Sequence, residues 1–160
     1  MEVRLLSRYL TPLMAEDAVD MVVPAINFSL KRHAKRIAGH LRVSHLVDGN
    51  WCVITTRDFG QRDTWEYDYE GHATAKEELS QRTGKATRDV QSKDFELLEQ
   101  EDTVYFGSVV SPGGTIVVAF SGVEAHYDEM FAKWVLAACL GLIEQELERQ
   151  RNAGVEYYER

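Results

Sequence analysis

The chain is expected to fold as an α+β domain, an antiparallel sheet with helices packed on its faces, and three features carry that expectation. "LRVSHLV" and "WCVITTR" are β-rich runs on either side of a tip, "DGN", that contains Asp-Gly. "TVYFGSVV" and "TIVVAFSG" flank "SPGG" in the same way. Connections this short join antiparallel neighbours, so each pair reads as a hairpin. Between and after the hairpins lie stretches with helical period, the longest at the end of the chain.

Taken in order, residues 1–12 read as an N-terminal extension. From Met14 to Gly39, the positions Met14, Ala18, Met21, Val22, Ile26, Leu30, Ala34 and Ile37 mark a helical stripe. Pro24 has no N–H to donate and disfavours helix at Val23, which predicts a kink or two successive helices. Gly39 is the expected residue just past the helix end. In the first hairpin, alternation sets Val43, His45 and Val47 on one face, and Cys52, Ile54 and Thr56 opposite Trp51, Val53 and Thr55.

Trp65, Tyr67 and Tyr69 alternate, which predicts a further strand with an aromatic face. "HATAKEELSQR" (72–82) predicts a helix ended by Gly84, "TGKATRDVQ" a loop, and "SKDFELLEQED" a short helix capped by Ser92. After the second hairpin a helix is expected from about Val123 to Asn152. Its stripe is Tyr127, Phe131, Trp134, Ala138, Leu142 and Leu147, widened by Met130, Val135 and Ile143. Residues 150–160 read as a polar tail, and the whole as a single domain.

Charge and composition remove several functions. With 26 acids against 18 bases the net charge is −8, which argues against a nucleic-acid or anionic-membrane binder. The one basic run, "LKRHAKR" (30–36), reads as a solvated helix face. No apolar run approaches a membrane span and no secretory leader is evident, so a cytoplasmic location is expected. Cys52 and Cys139 are the only thiols and sit among apolar neighbours, which predicts two buried, reduced side chains.

Chemistry concentrates in "FSGVEAHYDEMFAKW" (120–134). Ser121 and Glu124 have the spacing of a capping box, and Asp128 and Glu129 suit the positive end of a helix dipole. His126 and Glu129, at i and i+3, supply two of the three or more side chains a zinc site needs; His72 is the available third. Nothing in the sequence brings these together, and no metal is predicted. Glu124, Asp128 and Glu129 are candidate acids and bases if a pocket tunes them. Nucleophile-elbow, phosphate-loop and dinucleotide motifs are missing.

Several short motifs together resemble the GlcG/HbpS family of small haem-binding or haem-degrading-like domains. "VSHLVDGNWCVITTRDFG" (43–60) is similar to the family's first hairpin, with Val47, Asp48, Gly49 and Arg57 in place. Ala73 and Lys76 match its "A-x-x-K" helix, and Thr87 falls in the loop that follows. "GGTIVVAFSGVEAHYDE" is similar to the closing motif at Gly114, Ala119, Ser121, Gly122 and Asp128. The doubled glycines near the final hairpin are thinned, and "WEYDYEG" has no counterpart. The resemblance implies a profilin-like fold, a homo-oligomer, and haem or another tetrapyrrole as ligand. It transfers no ligating residue.

Candidates for such a ligand therefore come from chemistry. A haem site wants an axial donor and an apolar wall. His126, His72 and His45 are the axial options, with Trp51, Trp65 and Tyr69 as walls. The leading expectation is a small-molecule-binding or sensory domain. The alternatives are an interaction or assembly module without catalysis, and a small enzyme using His126 and the neighbouring acids.

Overall fold

A computed structural model describes residues 5–6, 10–154 and 157–158. The remaining parts of the expected N-terminal extension and polar tail lie outside the described residues. Within them, β1 (Leu5–Leu6) pairs in parallel with β6 (Tyr157–Tyr158). The other elements are α1 (Pro12–Arg32), β2 (Gly39–Val47), β3 (Asn50–Phe59), α2 (Tyr69–Thr83), α3 (Thr87–Ser92), β4 (Ser108–Val110), β5 (Ile116–Ser121) and α4 (Ala125–Asn152).

Both hairpins form and join into one antiparallel sheet of order β3-β2-β5-β4. At the first tip Asp48 and Gly49 both take positive φ, 51° and 79°, and Val47 pairs with Asn50. Two such residues give the tight turn whose twist matches the flanking strands. In β2 and β5, Leu41 stands opposite Phe120 and Val43 opposite Val118, while His40 faces Ser121 and Arg42 faces Ala119. One sheet face is therefore apolar and the other mixed.

The apolar face is covered by α1 and α4. Ala15, Ala18, Val19, Val22, Ile26 and Leu30 come from α1, and Phe131, Ala132, Val135, Leu136 and Cys139 from α4. Phe131 packs edge-on to Phe120 with ring centroids 5.1 Å apart, and Trp134 is half-buried against the same core. Of the expected stripe of the last helix, Phe131 and Val135 are buried and Tyr127, Met130, Trp134, Ala138, Leu142 and Ile143 pack partly buried against the core, while Ala132, Leu136 and Cys139, outside that stripe, complete the buried face. Each fully buried large apolar side chain stabilises the fold by about 1.5–3 kcal/mol.

The other face is covered by α2, through polar contacts. Arg42 pairs with Glu77 at 3.3 Å, Gln81 donates to Ser44 at 3.0 Å, and Ser80 lies 2.6 Å from Ser108. Thr87, first residue of α3, accepts from the backbone N–H groups of Gly107 and Ser108 at 2.9 and 3.1 Å. Polar groups buried this deeply are stable there because they are paired.

Several expectations are corrected. α1 runs as one helix through Pro24 and not as two, with Pro24 and Asp20, whose carbonyl loses its helical donor, both on the exposed side. The helix stops at Arg32, and Gly39 opens β2 instead of following the helix. Residues 65–69 make no strand: Arg62–Thr64 form a 3-10 turn and Tyr69 begins α2, capped by Asp68, whose carboxylate accepts from the Gly71 N–H at 2.9 Å. The short helix expected from Ser92 is instead α3 upstream and a 3-10 turn at Phe95–Leu97; Ser92 ends α3, its hydroxyl donating to the Arg88 carbonyl. Thr87 accordingly lies in a helix and not in a loop. Gly84 does end α2, at φ 69°.

The β3 alternation also fails. A bulge between Val43 and Ser44 pairs them with Thr55 and Val53, leaving Ile54 extra and reversing the phase. On this outer strand only Phe59 is buried, and Cys52 is exposed, contrary to expectation. Cys139 is buried, and burial pushes its thiol up to about 12.

Candidate functional site

The side chains that converge do so at one end of the sheet. Three chain segments meet there: the turn after α1, the start of α2, and the β5–α4 junction. On α2, Tyr69, His72 and Lys76 are spaced three and four apart and so share a helix face. That face, with Lys35, Arg36, Tyr67, Tyr105 and the start of α4, encloses a cleft of about 460 Å³.

The floor is an ion pair. The Lys76 ammonium donates to Asp128 Oδ2 and to the Phe120 carbonyl, both at 3.0 Å. Asp128 Oδ1 accepts from the Val123 N–H at 3.1 Å. Lys76 is 1% exposed and Asp128 2%. Burial lowers the lysine pKa and raises that of the aspartate to about 6, against the opposing pull of each partner's charge. Both shifts run toward a neutral amine–acid pair.

Glycines leave room for this floor. A Cβ on Gly107, whose φ is +149°, would lie 2.9 Å from Lys76 Nζ and 2.6 Å from the Phe120 carbonyl oxygen. A Cβ on Gly122 would lie 2.3 Å from the Ala38 carbonyl oxygen and 2.4 Å from Gly39 Cα. Only glycine lets the β5–α4 junction approach the start of β2 so closely.

The mouth carries cations and aromatic rings. Arg36 Nη1 donates to the Tyr69 hydroxyl at 2.8 Å and to the Gly122 carbonyl at 3.1 Å, with its guanidinium 5.7 Å from the Tyr69 ring centre. Among the described residues no carboxylate pairs with it. The basic run at 30–36, expected as a solvated helix face, is therefore split: Lys31 and Arg32 end α1, while Lys35 and Arg36 reach the cleft.

The expected site residues separate into two groups. His72, Tyr69 and Asp128 line the cleft, with the His72 ring edge-on to Tyr105 at 6.3 Å. Glu124 stands at the rim, where Oε1 accepts from the Lys35 N–H at 3.1 Å. No capping box forms: Glu124 is itself the cap position of α4, its side chain makes no bond to the N–H groups of that helix, and Asp128 takes the Val123 N–H instead.

Elsewhere lie the others. His126 is exposed, its ring 4.3 Å from that of Tyr127. Glu129 accepts from Arg88 at 2.8 Å and pairs with Lys133 at 3.1 Å, tying α4 to α3. His45 is buried, its pKa lowered by burial against a hydrogen bond to the Leu10 backbone. Trp51 pairs across from Leu46 near the hairpin tip. Trp65 stands behind Tyr69 at 5.5 Å, its indole N–H donating to the Phe59 carbonyl at 3.1 Å.

Sequence reasoning missed Lys35, Arg36, Tyr67 and Tyr105 as cleft residues. It also missed the His40–Asp58 contact of 2.7 Å, which, with Arg62 on Asp58, anchors the segment carrying Trp65 and Tyr67. In the sequence Lys76 stands out only as part of the A-x-x-K motif. The recoverable signal was the α2 spacing itself.

Those motif residues now have a spatial meaning: Lys76, Ser121, Gly122 and Asp128 all border one cleft. The fold is that of the HbpS and DUF336 structures. HbpS aligns with a TM-score of 0.57 at 15% identity, covering 86% of this chain and 91% of its own. The Klebsiella pneumoniae protein ORFY, of the family DUF336, gives 0.54 and 15%, covering 87% and 93%. The Ybr137w protein gives 0.62 and 15%, covering 85% and 81%. No protein-family model matches the chain and no curated protein matches it. Its architecture is thus profilin-like, as the resemblance implied. No helix among the described residues is long and apolar enough to cross a membrane.

Proposed function

We propose that this chain is a small-molecule-binding domain whose ligand carries at least one carboxylate on an aromatic or conjugated body. One observation carries the reading: a cleft of about 460 Å³ gathers Arg36 and Lys35 with Tyr67, Tyr69, Tyr105 and His72. A guanidinium with no carboxylate of its own suits a ligand carboxylate, and the rings suit a flat body. The starts of α2 and α4 add positive dipole ends at the same place.

Haem belongs to this ligand class, and the donor set fits it in part. His72 is the imidazole on the cleft and would be the axial donor, the tyrosines would supply walls, and Lys35 and Arg36 would meet the propionates' charge. His126 and His45 do not line the cleft, so this version assigns the axial role to His72. Hemin titration of the purified chain tests this version. A Soret shift that His72→Ala and Arg36→Ala each weaken supports it; no shift, or one that both variants leave unchanged, ends it.

A second reading, assembly, has its own support. Leu13, Met21 and Phe28 are 68, 63 and 56% exposed and fall along one side of α1. Three large exposed apolar side chains on one side of a helix, with Asp17 among them, suit a homo-oligomer contact. Light scattering of the wild type and of Met21→Glu/Phe28→Glu tests it: a mass above one chain that falls in the variant is expected, and a wild-type monomer at all concentrations ends it.

A further inference from the structure

The floor of the cleft has a property that ligand binding alone does not use. A lysine is held out of bulk water, beside a carboxyl group, in a cavity that carries two more cations at its mouth. Lys76 and Asp128 both line the cavity, and nearly all of the lysine side chain is buried. Gly107 lets the backbone pass close to the amine, since a Cβ there would lie 2.9 Å from Nζ. Desolvated lysines next to a proton acceptor are the ones that act as carbonyl nucleophiles.

We propose that Lys76 captures a 2-oxo carboxylate as an imine, with Arg36 and Lys35 holding the carboxylate and Asp128 moving the protons. This rests on the reading of the cleft as a carboxylate-binding site. The Lys76 ammonium first passes one proton to Asp128, 3.0 Å away. The free amine attacks the 2-oxo carbon, forming the C–N bond as the carbonyl π electrons move to oxygen. A second proton goes from nitrogen to that oxygen, giving a neutral carbinolamine. Asp128 returns its proton to the hydroxyl, which leaves as water while the nitrogen lone pair forms the C=N bond. The product is a protonated imine facing an ionised Asp128, so the buried positive charge keeps its partner.

The direction of both pKa shifts agrees with this sequence: burial eases proton loss from Lys76 and proton uptake by Asp128. The tyrosine walls favour an aryl side chain, such as that of phenylpyruvate. A purely structural ion pair would make the same hydrogen bonds and form no covalent adduct.

The test treats the full chain with phenylpyruvate and sodium cyanoborohydride, then reads intact mass and maps the modified peptide. Phenyllactate, which keeps the carboxylate and ring but has no carbonyl, is titrated alongside by calorimetry. The expected result is one adduct, on Lys76, absent without reductant-trappable carbonyl and reduced at least tenfold in Arg36→Ala. Binding of phenyllactate with no adduct, or with label spread over exposed lysines, overturns the imine and leaves the carboxylate site standing. No binding and no adduct overturns both. Because the adduct is mapped in the wild type, the result does not depend on whether Lys76→Met folds.

Discussion

Lys76 and Asp128, 52 positions apart in the chain, meet at 3.0 Å beneath the cleft and clamp α2 to the start of α4. Removing one member leaves the other charged and buried. Lys76→Met or Asp128→Leu alone is expected to cost about 3–5 kcal/mol, whereas the double variant should recover most of the loss. Urea unfolding of all four proteins measures the coupling. Additive losses would mean the two side chains do not depend on each other.

The same contact sets a pH signature. Burial raises the Asp128 carboxyl from 3.8 to about 6. Between those values the folded chain holds a proton that the unfolded chain has released, so this group costs stability above pH 6 and the cost fades as pH falls toward 3.8. Glu129 and Asp58 act oppositely: burial alone would raise them, but Arg88 and Lys133 on the one and His40 and Arg62 on the other hold them low. Their stabilisation is lost on acidification. Carboxylate NMR of Asp128 should show a midpoint near 6, moving higher in Lys76→Met because the lysine pulls it down. A midpoint near 3.8 would contradict the described burial.

Thr87 holds the strand entering the sheet. Its buried hydroxyl oxygen accepts from Gly107 and Ser108, the residues leading into β4. Thr87→Val strands two buried donors at about 1–3 kcal/mol each, while Thr87→Ser keeps the acceptor and should lose much less. Chemical denaturation separates the two; equal losses would assign the effect to packing.

The thiols should differ in reactivity. Cys52 is exposed and Cys139 buried with its pKa near 12. Ellman's reagent at mildly alkaline pH should titrate one thiol in the native chain and both after unfolding. Cys52→Ser should abolish the native reaction. Rapid native reaction of two thiols would show the core around Cys139 to be open.

The elements written by local periodicity were legible from the residues alone. Asp48 and Gly49 specify a turn that few other pairs adopt, and Phe131 and Trp134 mark the inner side of α4 by spacing. The segments that went wrong obey tertiary rules instead. Trp65, Tyr67 and Tyr69 alternate like a strand, yet Trp65 is fixed by its bond to the Phe59 carbonyl and Tyr69 begins a helix capped by Asp68. Cys52 has apolar neighbours in sequence, but it lies on the outer strand past a bulge.

The site divides in the same way. Sequence by itself determined which residues had chemistry to offer and, through the helical spacing of 72–82, that His72 and Lys76 share a side; Tyr69 joins them only because α2 starts earlier, at Tyr69. Only the tertiary structure decided that Arg36 joins them and His126 does not. The turn after α1 and the β5–α4 junction approach each other because Gly39 and Gly122 lack side chains. One helical turn sets Asp128 inward against Lys76 and leaves His126 in water, a choice made by packing across the sheet and written in no local pattern.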